Sequence, residues 1–482
     1  MNELLEQNYY SEKNSDYQKK DIYRPDIHFT PLFGWINDPN GFIRYKGMYH
    51  LFYQYHPYDT IWGPMHWGHA VSDDLIHWNH MPIALTPGEN YDIDGCFSGS
   101  AIEKEGKLFL MYTGNVFLDD SKKVAKQTQC IASSENGCDF LKYSENPVMK
   151  NEKFTKDMSI YDFRDPKVMN WDDKYLCLVG SKTEEETGQF LLFESVDLVT
   201  WIFKSVMLKG DKAFGTMWEC PNMFRINEKD VIIMSPTAMP SQGERYRNVN
   251  SSIWMIGVFD IEKGTFNVEH YGEVDHGLDF YAPQVTANEN GEMVMISWMD
   301  IWDHTMPTHE MGLAWTGAMI IPRELSIRNN ELIQRPVGSV NYCCKIIEEI
   351  SNLCVNDYHK VISLQAGMRI KSEIRVYEDT VITIQIFRKE SEHSYIIYRN
   401  KEITLQRVGS PYIEDDYRKT DVLVVNDIFD MDLILDRSAL EVFFDDGRRA
   451  MSARMYPEDT SAFVQLDIEG SVNIHKLQIF LI

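Results

Sequence analysis

MYHLFYQY, at residues 48–55, is a short apolar and aromatic run bounded by turn residues, which is how a well-covered β-strand reads. It has four further copies: LFLMYTG (108–114), YLCLVGS (175–181), VIIMSP (231–236) and MVMISWM (293–299). Five copies at a period of about 60 residues predict a five-bladed β-propeller, in which each small sheet covers its faces against its neighbours. A sandwich of repeated hairpins fits less well, because its strands would recur every ~8–12 residues. A second echo, SDDLIHW (72–78) and SVDLVTW (195–201), falls late in two of the repeats and reads as an outer-strand turn of each blade.

The repeats stop near PREL (322–325). After QRP (334–336) a charged stretch gives way to short alternating strands at 381–387, 432–435 and 439–444, the pattern of a β-sandwich. The expected architecture is therefore all-β: a polar N-terminal extension over 1–22, a five-bladed propeller over 23–335, a linker over 336–350 and a C-terminal β-sandwich over 351–482. A chain of 482 residues is long enough for two such domains.

Seventy-three acidic against 47 basic side chains give a net charge of −26, which repels polyphosphate chains and anionic bilayers. Nucleic acid and membrane surfaces are thereby excluded as partners. No stretch reaches the roughly 18 apolar residues of a membrane span, and the N-terminus lacks a basic segment followed by an apolar one, so a cytoplasmic location is expected. The eight cysteines contain no C-x-x-C pair and read as reduced, mostly buried thiols, with no zinc site and no disulfide framework.

What stands one hairpin before each repeated strand carries the chemistry: DPNG (38–41), FSGS (97–100), RDP (164–166), ECP (219–221) and YAPQ (281–284). Equivalent positions of different blades face one central axis, so Asp38, Asp165 and Glu219 should meet although they are distant in sequence. Singly, each has an ordinary explanation as a turn, an ion pair or a strand end. Three acids at one phase of three repeats are harder to explain by packing, since gathering carboxylates around a channel is electrostatically costly. Two carboxyl groups flanking a sugar bond are what glycoside hydrolysis requires. Aromatic residues near these motifs, among them Trp62, Phe97, Tyr281 and Trp298, suit the apolar faces of a sugar, and the carboxamides of Asn37 and Gln54 suit its hydroxyls.

At these motifs the chain resembles glycoside hydrolase family 32, the invertases, fructanases and bacterial sucrose-6-phosphate hydrolases. HFTP (28–31), WINDPNG (35–41), FRDP (163–166) and ECP (219–221) match its pattern in order and spacing, and WGPMHWGHA (62–70), DFYAPQ (279–284) and PREL extend the match. The resemblance implies a five-bladed propeller with a C-terminal sandwich and a retaining β-fructofuranosidase. It assigns Asp38 as nucleophile, Asp165 as the carboxylate that holds fructose hydroxyls and Glu219 as acid/base. Asn37, Gln54, Trp62, Phe97, Ser98 and Arg164 would line the fructosyl pocket, with Tyr281 and Trp298 as further sugar-facing rings. The substrate would be a small carbohydrate, with no cofactor and no metal, and an aromatic-rich sandwich face would suit a homodimer. Ile36 and Ser297 depart from the family pattern. The leaving group is left open between glucose, glucose 6-phosphate and a further fructosyl unit, with Arg245, Arg247 and His304 as candidates to meet a phosphate. An inverting hydrolase on the same propeller and a sugar-binding protein without catalysis are the competing readings.

Overall fold

The computed structural model describes residues 21–482 apart from 151, 303, 364–366, 390–391, 409–411 and 458–462. The extension expected over 1–22 thus lies outside the described residues, except for Asp21 and Ile22. Asp21 is an anchor, accepting from Trp315 Nε1 at 2.6 Å.

Five separate sheets form the propeller. Their first strands are Gly34–Tyr45, Gly95–Lys104, Met158–Trp171, Met217–Ile226 and Tyr281–Ala287, each contacting the next around the axis. The repeated runs recognised in the sequence are the second strands, Met48–His56, Lys107–Phe117, Lys174–Thr183, Lys229–Thr237 and Met293–Trp298, each antiparallel to its first strand. These second strands are apolar on both faces because each blade packs between two others. Phe52 and Trp67 meet Leu110 and Tyr112 across the first two blades, Met111 and Ile131 meet Phe163 and Cys177 across the next two, and Leu176 and Phe190 meet Trp218 and Ile232 beyond them. Such burial contributes about 25 cal/mol per Å² of apolar surface removed from water. The ring closes where Trp315–Thr316, from within the fifth repeat, pairs in parallel with Gly34 and Trp35 of the first.

The turn echoed in SDDLIHW and SVDLVTW links third to fourth strand and is built identically in both blades. Ser72 Oγ accepts from Leu75 N at 2.8 Å and Ser195 Oγ from Leu198 N at 3.0 Å. Asp74 and Asp197 each accept two later backbone N–H groups, and each Trp indole donates to the Leu carbonyl. Leu75 and Leu198 both sit at positive φ, 72° and 74°. A third copy, SENGCDF (134–140), was not recognisable from its letters. Asn136 replaces the aspartate and Gly137, at φ 81°, supplies the left-handed residue without steric cost.

In the C-terminal domain one long strand, Phe463–Leu481, holds both leaves together. Its first part pairs with Val381–Lys389 and its second, after Gly470 at φ 90°, with Met368–Arg375. The linker expected over 336–350 is shorter than that. Pro336 ends the last blade, a 3₁₀ turn spans Gly338–Cys343, and Lys345–Ser363 is already a strand paired along Phe463–Leu481. Its charged, largely exposed face read as linker, but charge is what keeps an edge strand from pairing with other chains.

The two domains are locked by buried ions. Arg323 at the end of the propeller donates to Glu441 at 2.6 Å and to Asp275 at 2.9 Å, and His28 bridges Asp436 at 2.9 Å and Glu441 at 3.1 Å, all with wholly buried side chains. No helix among the described residues is long and apolar enough to cross a membrane.

Candidate active site

All five first strands are interrupted at the motif positions. Ladder register jumps between Ile36 and Pro39, between Phe97 and Gly99, between Arg164 and Lys167, between Glu219 and Asn222, and between Tyr281 and Gln284. In four of them a proline falls inside or at the edge of the jump: Pro39, Pro166, Pro221 and Pro283. Proline has no N–H for the ladder, so the strand bulges there, and Asp165, Cys220 and Ala282 take up positive φ of 63°, 50° and 54°. A bulge re-aims side chains. Here it turns the acids toward the axis at one end of the propeller.

There they line a pocket of about 390 Å³ with Asn37, Gln54, Trp62, Phe97, Ser98 and Arg164. Asp38 is oriented by Asn37 Nδ2 at 3.0 Å and Ser98 Oγ at 2.7 Å, and Asn37 in turn accepts from Trp35 Nε1 at 2.8 Å. Asp165 Oδ2 accepts from Cys220 N at 3.0 Å. The Cys220 thiol lies between the two aspartates, 3.5 Å from Asp38 Oδ2 and 3.6 Å from Asp165 Oδ2. Glu219 Oε1 accepts from Arg164 Nε at 2.9 Å and Nη2 at 2.6 Å, while its Oε2 accepts from the Tyr281 hydroxyl. Gln54 Nε2 donates to Asn40 Oδ1 at 2.7 Å and to the Cys96 carbonyl at 3.0 Å, which fixes its carboxamide against the wall.

Burial raises the Asp38 carboxyl above the ordinary carboxylate range, and the charge of Glu219 adds to that, against the hydrogen bonds from Asn37 and Ser98. Burial, with the charges of Glu219 and Asp38, pushes Asp165 up to about 7 despite Arg164. Burial likewise raises the Cys220 thiol, so it stays protonated between its neighbours. The arrangement is one of several carboxyl groups in one pocket with one guanidinium shared among them, which suits proton transfer and stabilisation of a cationic transition state.

Two sequence expectations land differently. Trp298 is fully buried behind the wall, with its ring centroid 5.0 Å from Trp302, and it is Trp302 that lines the pocket. Trp298 is paired with Tyr281 across the ladder, and its ring is covered by those of Trp35, 6.1 Å away, and Trp302. Tyr281, 1% exposed, reaches the site only through its hydroxyl on Glu219. The departures Ile36 and Ser297 are wholly buried and outside the pocket, Ser297 donating to the Tyr281 carbonyl at 2.5 Å. Gln127, Asp162, Lys122 and Lys123 line the pocket without having been anticipated. Asp162 was within reach of a period-two argument, being two residues before Arg164 on one strand.

The candidates for a phosphate are placed elsewhere. Arg245 is paired with Glu273 at 3.2 Å, and Arg247 with Glu244 at 3.2 Å and Asp416 at 3.4 Å. His304 stands 2.6 Å from Asp300. Burial lowers its pKa but Asp300 and Asp279 outweigh that and hold it at about 9. None of the three lines the pocket that holds the acids.

Comparison with known proteins agrees with this geometry. Residues 28–336 match the glycosyl hydrolases family 32 N-terminal domain and residues 355–480 the family 32 C-terminal domain. A sucrose-6-phosphate hydrolase of Escherichia coli is 36% identical over 96% of this chain and 94% of its own length, and a raffinose invertase of Escherichia coli is 34% identical over 93% of each. Among solved structures, the family 32 β-fructofuranosidase BmSUC1 of Bombyx mori superposes with a TM-score of 0.86 at 31% identity, covering 98% of this chain and 96% of that one. Motifs, fold and both domain matches agree, and the chain belongs to glycoside hydrolase family 32.

Proposed function

We propose that this enzyme is a retaining β-fructofuranosidase that releases the fructosyl unit of sucrose or of sucrose 6-phosphate. The observation that carries the proposal is the joint placement of Asp38 and Glu219 in one pocket, with the Cys220 thiol beside Asp38 and Arg164 on Glu219. A pair so placed suits attack from one side of the sugar and protonation from the other.

In this reading Asp38 attacks the anomeric carbon of the fructosyl unit while Glu219 gives its proton to the departing glycosidic oxygen, leaving a fructosyl ester on Asp38. Glu219, now a carboxylate, takes a proton from water as the water attacks the same carbon, and Asp38 leaves as the carboxylate. Asp165 binds fructose hydroxyls and stabilises positive charge on the ring. Trp62 and Phe97 supply apolar walls, and Asn37 and Gln54 supply polar contacts. A pocket at one end of a closed ring of strands favours exo-action on a chain end. The name of the sucrose-6-phosphate hydrolase supports the phosphate ester as substrate, a BmSUC1 variant solved in complex with sucrose supports sucrose, and the eight free thiols support a cytoplasmic setting.

Proton NMR of the first fructose released from either substrate tests the reading. The β-anomer appearing before mutarotation supports retention; the α-anomer, or no fructose from either substrate, removes it.

A further inference from the structure

The pocket is acidic where bond cleavage would take place, and its charge changes sign at the mouth. Asp38, Asp162, Asp165 and Glu219 line it, and Arg164 is engaged by Glu219 and Asp162. The other cations on its wall are Lys122 and Lys123, on the turn between the strands Lys107–Phe117 and Ala125–Ser134 of the second blade. Among the described residues neither ammonium makes a salt bridge, and both side chains are exposed.

The turn that carries them is organised. Asp119 accepts from the Ser121 hydroxyl and from the backbone N–H of Lys123 and Val124, each at 3.1 Å, and Lys122 adopts φ 56°. The Lys122 ammonium lies 5.9 Å from the centre of the Trp62 ring and 5.7 Å from that of Phe117. Trp62 and Phe97, whose ring centres are 6.2 Å apart, line the same pocket as the acids. A sugar with its fructosyl half among the acids would therefore leave its other half beside Trp62, under the lysines. A neutral glucosyl unit has no use for two ammonium groups that stand outside any salt bridge. A phosphate ester on it does, because a dianion entering a chain of net charge −26 needs local positive charge.

We propose that the Lys122–Lys123 turn binds a phosphate ester on the leaving glucosyl unit and sets a preference for the phosphorylated disaccharide. This rests on the fructosidase reading of the same pocket. Lysine suits the task as a mobile point charge that can follow the phosphate as the product departs.

The test is the ratio of kcat/KM for sucrose 6-phosphate to that for sucrose, in the parent enzyme and in a Lys122→Ala/Lys123→Ala double variant. The parent should favour the phosphate ester, and the double variant should lower the ratio at least about ten-fold, since a charge-assisted contact is lost on one substrate only. A Lys122→Arg/Lys123→Arg variant should keep the ratio within about three-fold of the parent, the charge being retained. A ratio unchanged in the alanine variant, or no preference in the parent, overturns the proposal while leaving the fructosidase reading intact; no fructose from either substrate overturns that reading first. Product inhibition of the parent gives a check that needs no variant: glucose 6-phosphate should inhibit more strongly than glucose and than inorganic phosphate. Equal inhibition by inorganic phosphate would assign the lysines to free anions and contradict the proposal.

Discussion

Arg164 places two nitrogens on a single oxygen of Glu219, Nε at 2.9 Å and Nη2 at 2.6 Å, and leaves the other oxygen to the hydroxyl of Tyr281. Glu219 is thereby held by residues from the first strands of the blades on either side of its own. Its side chain has little rotamer freedom left, and it points into the pocket without being shielded from it.

Arg164→Lys should therefore damage catalysis more than stability. A lysine keeps a positive charge but not the fork, so kcat on sucrose should fall by about 100-fold while thermal unfolding shifts by only a few degrees. Steady-state kinetics beside calorimetry checks this. A loss of activity that merely tracks a loss of folded protein would show that Arg164 is needed for structure alone.

Replacing Glu219 with alanine separates leaving groups. Sucrose, whose glucose departs poorly without a proton, should lose about 1,000-fold in kcat or more, whereas an activated aryl fructoside should lose much less in its first step. Equal losses on both substrates would move the proton-donor role to another residue.

Asp165 illustrates the cost of the site. Its folded pKa is raised from 3.8 to about 7, so its contribution to stability is fully present below about 3.8 and is lost as pH rises through 7. At pH 8 the buried carboxylate is a strain on the fold. Asp165→Asn should consequently unfold at a higher temperature than the parent at pH 8, lose that advantage at pH 4.5, and be nearly inactive. Denaturation midpoints at the two pH values decide it; an asparagine variant less stable at pH 8 contradicts the assignment.

His28 has the same sign for a different reason. Burial lowers its pKa, but hydrogen bonds to Asp436 and Glu441 outweigh this and raise it from 6.5 to about 9. Stability from this lock is full below about 6.5 and is lost as pH rises through about 9. His28→Ala should cost about 3–5 kcal/mol at pH 6, because it strips Asp436 and Glu441 of a buried partner. Between pH 7 and 9.5 the parent should lose stability that the variant does not. Parallel pH profiles of the two proteins would place the lock elsewhere.

Much of this arrangement was legible in the letters, and the reasons are local. Second strands announce themselves because they are apolar on both faces, as in LFLMYTG and VIIMSP. The acids announce themselves because a proline within two residues of each breaks the ladder at one phase of the first, third and fourth blades. Residues that depend on long-range geometry were less accessible. Gln127 and Lys122 reach the pocket from the hairpin of the second blade's second and third strands, where no motif marks them. Trp302 and Trp298 are four residues apart, and nothing in the letters separates the ring that lines the pocket from the one buried behind it. The strand Lys345–Ser363 looks like a solvated linker until its partner, more than a hundred residues later, is known.

The most direct measurement of the central claim is the identity of the residue that becomes esterified. In Glu219→Ala, turnover of an activated aryl fructoside should proceed through a fast first step and a slow second one, since the base for water is gone, so the intermediate should accumulate. Mass spectrometry of the quenched, digested protein should find one fructosyl group on the peptide containing Asp38, and Asp38→Ala in the same background should abolish both the adduct and the release of the aryl group. A fructosyl group on Asp165, or full aryl release with no adduct at any carboxylate, would contradict the account.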